Sequence, residues 1–254
     1  MTQTPDPFGL AGRIAVVTGA NTGIGQAICV ALANAGARIA AVGRSAMDET
    51  AARIGGGPDA FRAIRADLSN IESLQPVVDE TLAWAGGIDI LVNNAGIIRR
   101  NDALDFTEAD WDAVMDTNLK SCFFLSQAAA RVMIPNGYGK IVNIASLLSF
   151  QGGIRVASYT ASKSGLAGLT KLLANEWAAR GVNVNAVAPG YVETNNTEAL
   201  RNDPARSRAI LERIPAGRWA RPEDIAGAAV FLASPAADYV HGVTLPVDGG
   251  WLGR

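Results

Sequence analysis

The chain has 254 residues, 49% hydrophobic and 18% charged, with 27 glycines and a formal net charge of −2. This is enough apolar material for a sizeable core, and the near-neutral balance without a Lys/Arg run argues against a disordered chain or an electrostatic nucleic-acid binder. Two cysteines, Cys29 and Cys122, make no disulfide framework and suit a reducing compartment, while a single histidine, His241, excludes His-rich zinc sites and argues against a Ser-His-Asp triad, so no metal is expected.

Met1 to Gly12 carries Pro5, Asp6 and Pro7 and lacks the basic-then-apolar pattern of a secretion signal. Ala27 to Val42, the most apolar long stretch, is broken by Asn34 and Arg38 and falls short of the ~20 apolar residues of a membrane span. A cytoplasmic protein with no membrane or nucleic-acid partner is expected. From Arg13 onward the pattern alternates. Arg13–Thr18 predicts a first strand, Gly25–Ala35 a helix stopped by Gly36, and Arg38–Val42 a second strand. Ala60–Ala66 predicts a third strand, Ile71–Ala85 a helix, and Ile88–Asn93 a fourth strand. One long helix is expected over Glu108–Met133, opened by Thr107 and Asp110 in a capping-box spacing. Strands at Lys140–Ile144, Val182–Val187 and Val243–Val247 then alternate with helices at Ser158–Ala179 and Pro222–Ala233, with Pro222 in a first turn. The pattern predicts an α/β fold. It is a single doubly wound domain over 1–254, with a parallel sheet of about seven strands and helices on both faces.

The first strand runs into Thr18-Gly19-Ala20-Asn21-Thr22-Gly23-Ile24-Gly25. Glycines permit a tight turn and close backbone approach, and a helix N-terminus presents N–H groups to a pyrophosphate. Its place between strand and helix predicts a Rossmann-type dinucleotide site rather than a merely structural turn. Tyr159 and Lys163 stand four apart, on one face of a helix. Alone, such a pair is usually a helix tyrosine beside a solvated lysine. Here Ser146 follows the fifth strand and a nucleotide turn is present, so the three read as catalytic. A nearby ammonium favours the phenolate. Tyr159 can then protonate a carbonyl oxygen as hydride arrives, or deprotonate an alcohol in reverse, while Ser146 hydrogen-bonds the same oxygen.

The glycine spacing, Asn93-Asn94-Ala95-Gly96 and Tyr159-Thr160-Ala161-Ser162-Lys163 together resemble the short-chain dehydrogenase/reductase family from about Gly12 to the C-terminus. The resemblance implies a nicotinamide cofactor, NAD(H) or NADP(H), contacted by Tyr159 and Lys163 as well as by the glycine turn. It implies Asn118 as a fourth catalytic member, holding a water that links Lys163 to solvent. It also implies Asp67 and Leu68 at the adenine, and Asn94, Ala95 and Gly96 along the ribose side. Pro189-Gly190 would lead to the Val192 backbone and Thr194 hydroxyl at the nicotinamide carboxamide. Two alternatives stay open: Asn94 only pins the fourth strand, and Asp67 only caps the next helix. At the end of the second strand stands Gly43-Arg44-Ser45, with no acidic residue for a ribose 2′-hydroxyl. Arg44 and Ser45 suit a 2′-phosphate and point to NADP(H). Relatives acting on sugar acids usually take NAD(H), and Arg44 would then stack on adenine.

Asn93–Arg100, Ser149–Val156 and Val247–Arg254 are similar to the sugar-acid dehydrogenases of that family. Those enzymes interconvert a keto and a hydroxyl group on a six-carbon deoxy sugar acid. The resemblance implies a small-molecule sugar-acid substrate and a homotetramer packed through the two long helices. A sugar acid needs a cation for its carboxylate and polar groups for its hydroxyls. Arg99, Gln151 and Arg155, with Ser146, are the expected contacts, although Arg99 and Arg100 read equally as surface or interface charge. Asn195–Ile214, polar and carrying Arg201, Arg206 and Arg208, reads as a helical lid. Trp251 is either core or a contact to a neighbour's site, and His241 a surface or strand-edge residue. Alternative readings are a 3-oxoacyl-carrier-protein reductase, another polyol dehydrogenase, or a nucleotide sensor without catalysis. Ser146, Tyr159 and Lys163 all being present argues against the sensor.

Overall fold

Successive residues of a strand point to opposite faces, and here both faces are apolar. The computed structural model describes residues 6–254; the expectation for the N-terminal segment falls partly on residues 1–5, outside the described residues. Seven strands form one sheet: β1 (Ile14–Thr18), β2 (Arg38–Gly43), β3 (Phe61–Arg65), β4 (Ile90–Asn93), β5 (Gly139–Ile144), β6 (Val182–Pro189) and β7 (Thr244–Val247). Their order is β3-β2-β1-β4-β5-β6-β7 and every pairing is parallel. Ala15, Val17, Ile39, Ala41, Ile90, Val92, Val142 and Ile144 look to one face. Val16, Ala40, Val42, Leu91 and Ile141 look to the other. The doubly wound α/β expectation holds, and the physical reason is this division: neither face can be left to water.

Helices cover both. On the first face lie α1 (Gly23–Asn34) and the C-terminal α9 (Pro222–Ala233), bringing Ile28, Leu32, Ile225 and Leu232 into the core. A seven-residue α2 (Asp48–Ile54) adds its last residue, Ile54, to that cluster. On the second face lie α3 (Leu74–Ala85), α5 (Ser121–Met133) and α6 (Ala157–Trp177), through Val77, Leu125, Met133 and Leu173. Each such aliphatic side chain contributes about 1.5–3 kcal/mol on full burial. At the edge, β7 admits Pro246 because an edge strand has a side that needs no ladder hydrogen bond.

Two expectations are corrected. The single long helix over Glu108–Met133 is instead α4 (Glu108–Met115), a π-helical turn at Asp116–Lys120, and then α5. Periodicity continues across such a turn, so sequence pattern cannot register it. The Thr107 cap is as expected, accepting from the Asp110 N–H at 3.2 Å and donating to its carboxylate at 3.0 Å. The second correction is α2, which the sequence reading left unassigned; seven residues give too short a period to recognise. Gly36, at φ 103°, stops the chain after α1 as expected. Cys29 and Cys122 are buried free thiols, both pushed up by burial. No helix among the described residues is long and apolar enough to cross a membrane.

Candidate active site

The strand order reverses between β1 and β4, and there the connections leave to opposite faces and open a crevice. Thr18, last in β1, holds its rim: its hydroxyl accepts the N–H of Asn94 and of Ala95, each at 2.9 Å, and donates to the Val92 carbonyl at 3.3 Å. The Asn94 amide donates to the carbonyls of Thr18 at 2.9 Å and Gly19 at 3.2 Å. Asn94 therefore does pin the strands, and it also lines the crevice. A Cβ on Gly25 would collide with the Gly19 carbonyl and this Asn94 amide, so only glycine lets α1 approach so closely. Gly19 and Gly23 have φ of 64° and 56°, which L side chains rarely adopt. The unforeseen α2 braces the same turn: buried Thr50 donates to the Ala20 carbonyl at 2.8 Å and accepts from Gln26 at 3.1 Å.

The crevice has two connected parts. The larger, about 510 Å³, is lined by the turn from Gly19 to Gly25, including Asn21, Thr22, Gly23 and Ile24, by Asn94–Gly96, and by Ser146, Tyr159, Lys163, Pro189, Gly190, Val192 and Thr194. The second, about 370 Å³, shares Gly19, Asn21, Ala95 and Gly96 and runs under Arg44, Ser45, Asp67 and Leu68. Every residue expected at the cofactor thus lies along one groove with a glycine floor, the shape and donor set that a dinucleotide needs. Asn21 donates to Ser45 Oγ at 2.9 Å. The Asp67 carboxylate accepts from Ser69 Oγ at 2.8 Å and Ser69 N–H at 3.1 Å, which, with Arg44 adding a smaller pull, holds it below the usual carboxylate range. Thr194 reaches across the groove, its methyl 3.4 Å from where a Cβ on Gly23 would stand. Among the described residues no group of three or more His, Cys, Asp or Glu side chains is placed to hold a metal.

A buried polar chain sets α6 on the sheet. Asn93 donates to Ser126 Oγ and to Asn143 Oδ1, each at 2.9 Å, and Asn143 donates to Thr170 Oγ1 at 2.9 Å. Tyr159 and Lys163 then face the end of β5. The Lys163 ammonium donates to the Ile144 carbonyl at 2.6 Å and lies 5.6 Å from the Tyr159 ring centroid. Ser146 Oγ accepts from the Leu148 N–H at 3.2 Å, which leaves the hydroxyl proton for another acceptor. Asn118, fully buried in the π turn, accepts from the Ile97 N–H at 2.8 Å and donates to the Ile97 carbonyl at 2.9 Å.

Ser146, Tyr159, Pro189 and Gly190 also line a further cavity of about 190 Å³ on the other side of that wall. Gln151 lines it and accepts from Trp251 Nε1 at 3.2 Å. Arg99 and Arg155 do not: Arg99 pairs with Asp110 at 3.3 Å and Arg155 with Asp102 at 3.2 Å, both outside the cavity wall. In this structure the two expected substrate arginines thus stand outside the lining of that cavity, each in an exposed ion pair. Arg100 and Arg206 line the cavity instead. Neighbours in sequence point oppositely on an extended loop, so the choice between Arg99 and Arg100 is open until the loop is folded. The expected lid is a 3₁₀ turn (Asn195–Thr197), α7 (Glu198–Arg201) and α8 (Pro204–Leu211). Ile210 and Ile214 fix it to Leu147, Trp219 and Trp251. Trp251 is accordingly core of its own chain, 4.8 Å from the Tyr191 ring. His241 sits beside Asn183 at 3.2 Å, away from the crevice.

Replacing Asn118 by alanine should destabilise the protein by about 2–4 kcal/mol, because the Ile97 N–H and C=O lose their partners together. Chemical denaturation compared with wild type measures it.

Residues 19–252 match the family model described as enoyl-(acyl carrier protein) reductase. The 2-dehydro-3-deoxy-D-gluconate 5-dehydrogenases of Escherichia coli and Bacillus subtilis are 56% and 54% identical, over 97% and 98% of this chain and 98% of each of theirs. A candidate 2-deoxy-D-gluconate 3-dehydrogenase from Agrobacterium tumefaciens, solved with bound NADP, is 62% identical with a TM-score of 0.93, covering 98% of this chain and 100% of its own. A gluconate 5-dehydrogenase from Burkholderia cenocepacia, solved with NADP and tartrate, is 42% identical with a TM-score of 0.92, covering 98% of each chain. With the crevice, the Ser-Tyr-Lys arrangement and near-complete coverage in agreement, the chain belongs to the short-chain dehydrogenase/reductase family of nicotinamide-dependent oxidoreductases.

Proposed function

We propose that this chain is a 2-dehydro-3-deoxy-D-gluconate 5-dehydrogenase, interconverting a keto and a hydroxyl group on a six-carbon deoxy sugar acid with NADP(H). The observation that carries the reading is the shared wall: Ser146 and Tyr159 line both the nucleotide crevice and the smaller cavity, so hydride and proton reach one carbon–oxygen bond. The names of relatives above half identical support the sugar acid. When bound, the nicotinamide supplies or accepts the hydride.

The protein's own groups handle the proton. Tyr159 gives its hydroxyl proton to the carbonyl oxygen, or takes one from the alcohol in reverse. Ser146 keeps its donor free by accepting from Leu148, and that donor stabilises charge developing on the same oxygen. Lys163, anchored on the Ile144 carbonyl, sets a positive charge 5.6 Å from the Tyr159 ring centroid, where it offsets negative charge developing as the proton moves. Asn118 holds the Ile97 backbone and so the loop that carries Gly96 past Lys163; a Cβ on Gly96 would stand 3.8 Å from the ammonium. The glycine turn, Asn94–Gly96, Asp67, Leu68, Val192 and Thr194 hold the cofactor. The protein works as one domain whose lid spans 195–214.

Tyr159→Phe should abolish turnover of 3-deoxy-D-glycero-2,5-hexodiulosonate while NADPH still binds, read by steady-state assay and by nucleotide titration. Substantial turnover in the variant overturns the acid/base role, and absence of turnover in wild type overturns the substrate. The 2′-phosphate is read by Arg44 and Ser45, and bound NADP in two solved relatives supports this. Arg44→Ala should weaken NADPH roughly 10- to 100-fold and leave NADH nearly unchanged, since only the phosphate loses a charged partner. Equal weakening of both cofactors speaks against it.

We further propose a homotetramer in the cytoplasm. The groove between α5 and α6 exposes Leu172 beside Phe123, with Gln127, Arg131, Glu176 and Arg180 around them, a mixed apolar and charged face suited to a second copy. Light scattering should give a mass near four times 26.4 kDa, and a single-chain mass overturns the assembly. The free thiols suit a reducing compartment, which cell fractionation tests.

A further inference from the structure

The cavity beyond Ser146 and Tyr159 is lined by two arginines, Arg100 and Arg206, and by no acidic residue. Arg100 reaches it from the loop after β4 and is held by the Asn196 carbonyl at 2.9 Å. Arg206 reaches it from the first turn of α8. The Asp203 carboxylate is engaged with the backbone N–H groups of Ala205 and Arg206, at 3.0 and 3.1 Å. Arg206 takes part in none of the ion pairs among the described residues, whereas Arg99 and Arg155 are each paired with an aspartate. Half-buried Tyr191 stands in the same wall: burial pushes its phenol up, and Arg206 and Arg213 pull it part of the way back.

We propose that Arg206 is the residue that reads the carboxylate of the substrate and so selects an acid over a neutral polyol, an assignment that rests on the sugar-acid reading above. A guanidinium offers two parallel donors that match a carboxylate in one plane. Ser146 and Tyr159 line the same cavity as Arg206, so a short chain held at its reacting oxygen by the first two lies in the cavity that the cation borders. Arg206 is exposed and rides on a lid whose Ile210 is locked into the Leu147, Trp219 and Trp251 cluster, which fixes the helix that carries it. An acid thus gains a partner from the lid that a polyol of equal length does not. That difference in binding is what specificity requires.

Arg206→Ala and Arg206→Lys test it, with Arg208→Ala as the control for a charge lost from the same helix. Two readouts are taken on each: turnover of 3-deoxy-D-glycero-2,5-hexodiulosonate with NADPH, and calorimetric binding of D-gluconate and of neutral sorbitol to the NADP-loaded enzyme. Arg206→Ala should raise KM and weaken gluconate roughly 10- to 100-fold, the loss of one charge-assisted pair. Its kcat should stay within about threefold, because the interaction is made equally before and during reaction. Sorbitol binding should not change, and Arg206→Lys should recover part of the loss. Unchanged gluconate binding in Arg206→Ala, equal losses for gluconate and sorbitol, or no gluconate binding to wild type each overturn the proposal. Wild type that binds gluconate through Arg206 but does not turn over the deoxy sugar acid keeps the carboxylate site and discards the substrate. Rapid turnover that is indifferent to Arg206 does the reverse.

Discussion

Where β1 and β4 part, a single hydroxyl, that of Thr18, joins the two strands to the loop that follows β4. The sheet order creates a crevice there, but order alone leaves its width undetermined. Thr18 and the Asn94 amide set that width by tying the end of β1 to Asn94 and Ala95. The bonds are short range and each contributes only about 1 kcal/mol net. Their effect is geometric. With the strand ends fixed, α1 is drawn so close that its third residue has to be Gly25, and its N-terminal N–H groups then face the groove.

A second constraint places the chemistry. The chain of Ser126, Asn93, Asn143 and Thr170 runs from α5 through two strands to α6 inside an otherwise apolar layer. Buried polar groups are costly unless satisfied, so these side chains fix one register of helix on sheet and penalise any sliding. Tyr159 and Lys163 sit near the start of α6 and inherit that register. The π turn around Asn118 works in the same way where it packs against α6, trading regular helix geometry for two hydrogen bonds to Ile97. An interrupted helix at such a place is the ordinary signature of a functional constraint.

Much of this was legible beforehand. Most of the strands declare themselves through β-branched or apolar runs, and the glycine turn and the Tyr159–Lys163 spacing are local patterns with local physical reasons. The nucleotide-site residues that those patterns single out do come together in one groove. What was not legible depended on which way a side chain turns. Arg99 and Arg100 are adjacent and chemically equal, yet only Arg100 enters the cavity, while Arg99 meets Asp110 on the next helix. Arg155, at φ 62°, is carried by a left-handed backbone toward Asp102. The short α2 escaped notice because its amphipathic pattern covers barely two turns, although its Thr50 braces the nucleotide turn.

The amino-acid sequence by itself determined the alternation of strand and helix, the glycine turn and the helical pairing of Tyr159 with Lys163. Each is settled within a few residues by side-chain period, backbone freedom or helix pitch. Only the tertiary structure decided which arginines face the smaller cavity, that Trp251 is buried under its own lid, and that a π turn holding a buried asparagine interrupts the long helix. Those outcomes arise from contacts between segments far apart in the chain, such as Asn118 with Ile97 and Trp251 with Tyr191. No local preference encodes them, because the energy that selects them exists only once the two segments meet.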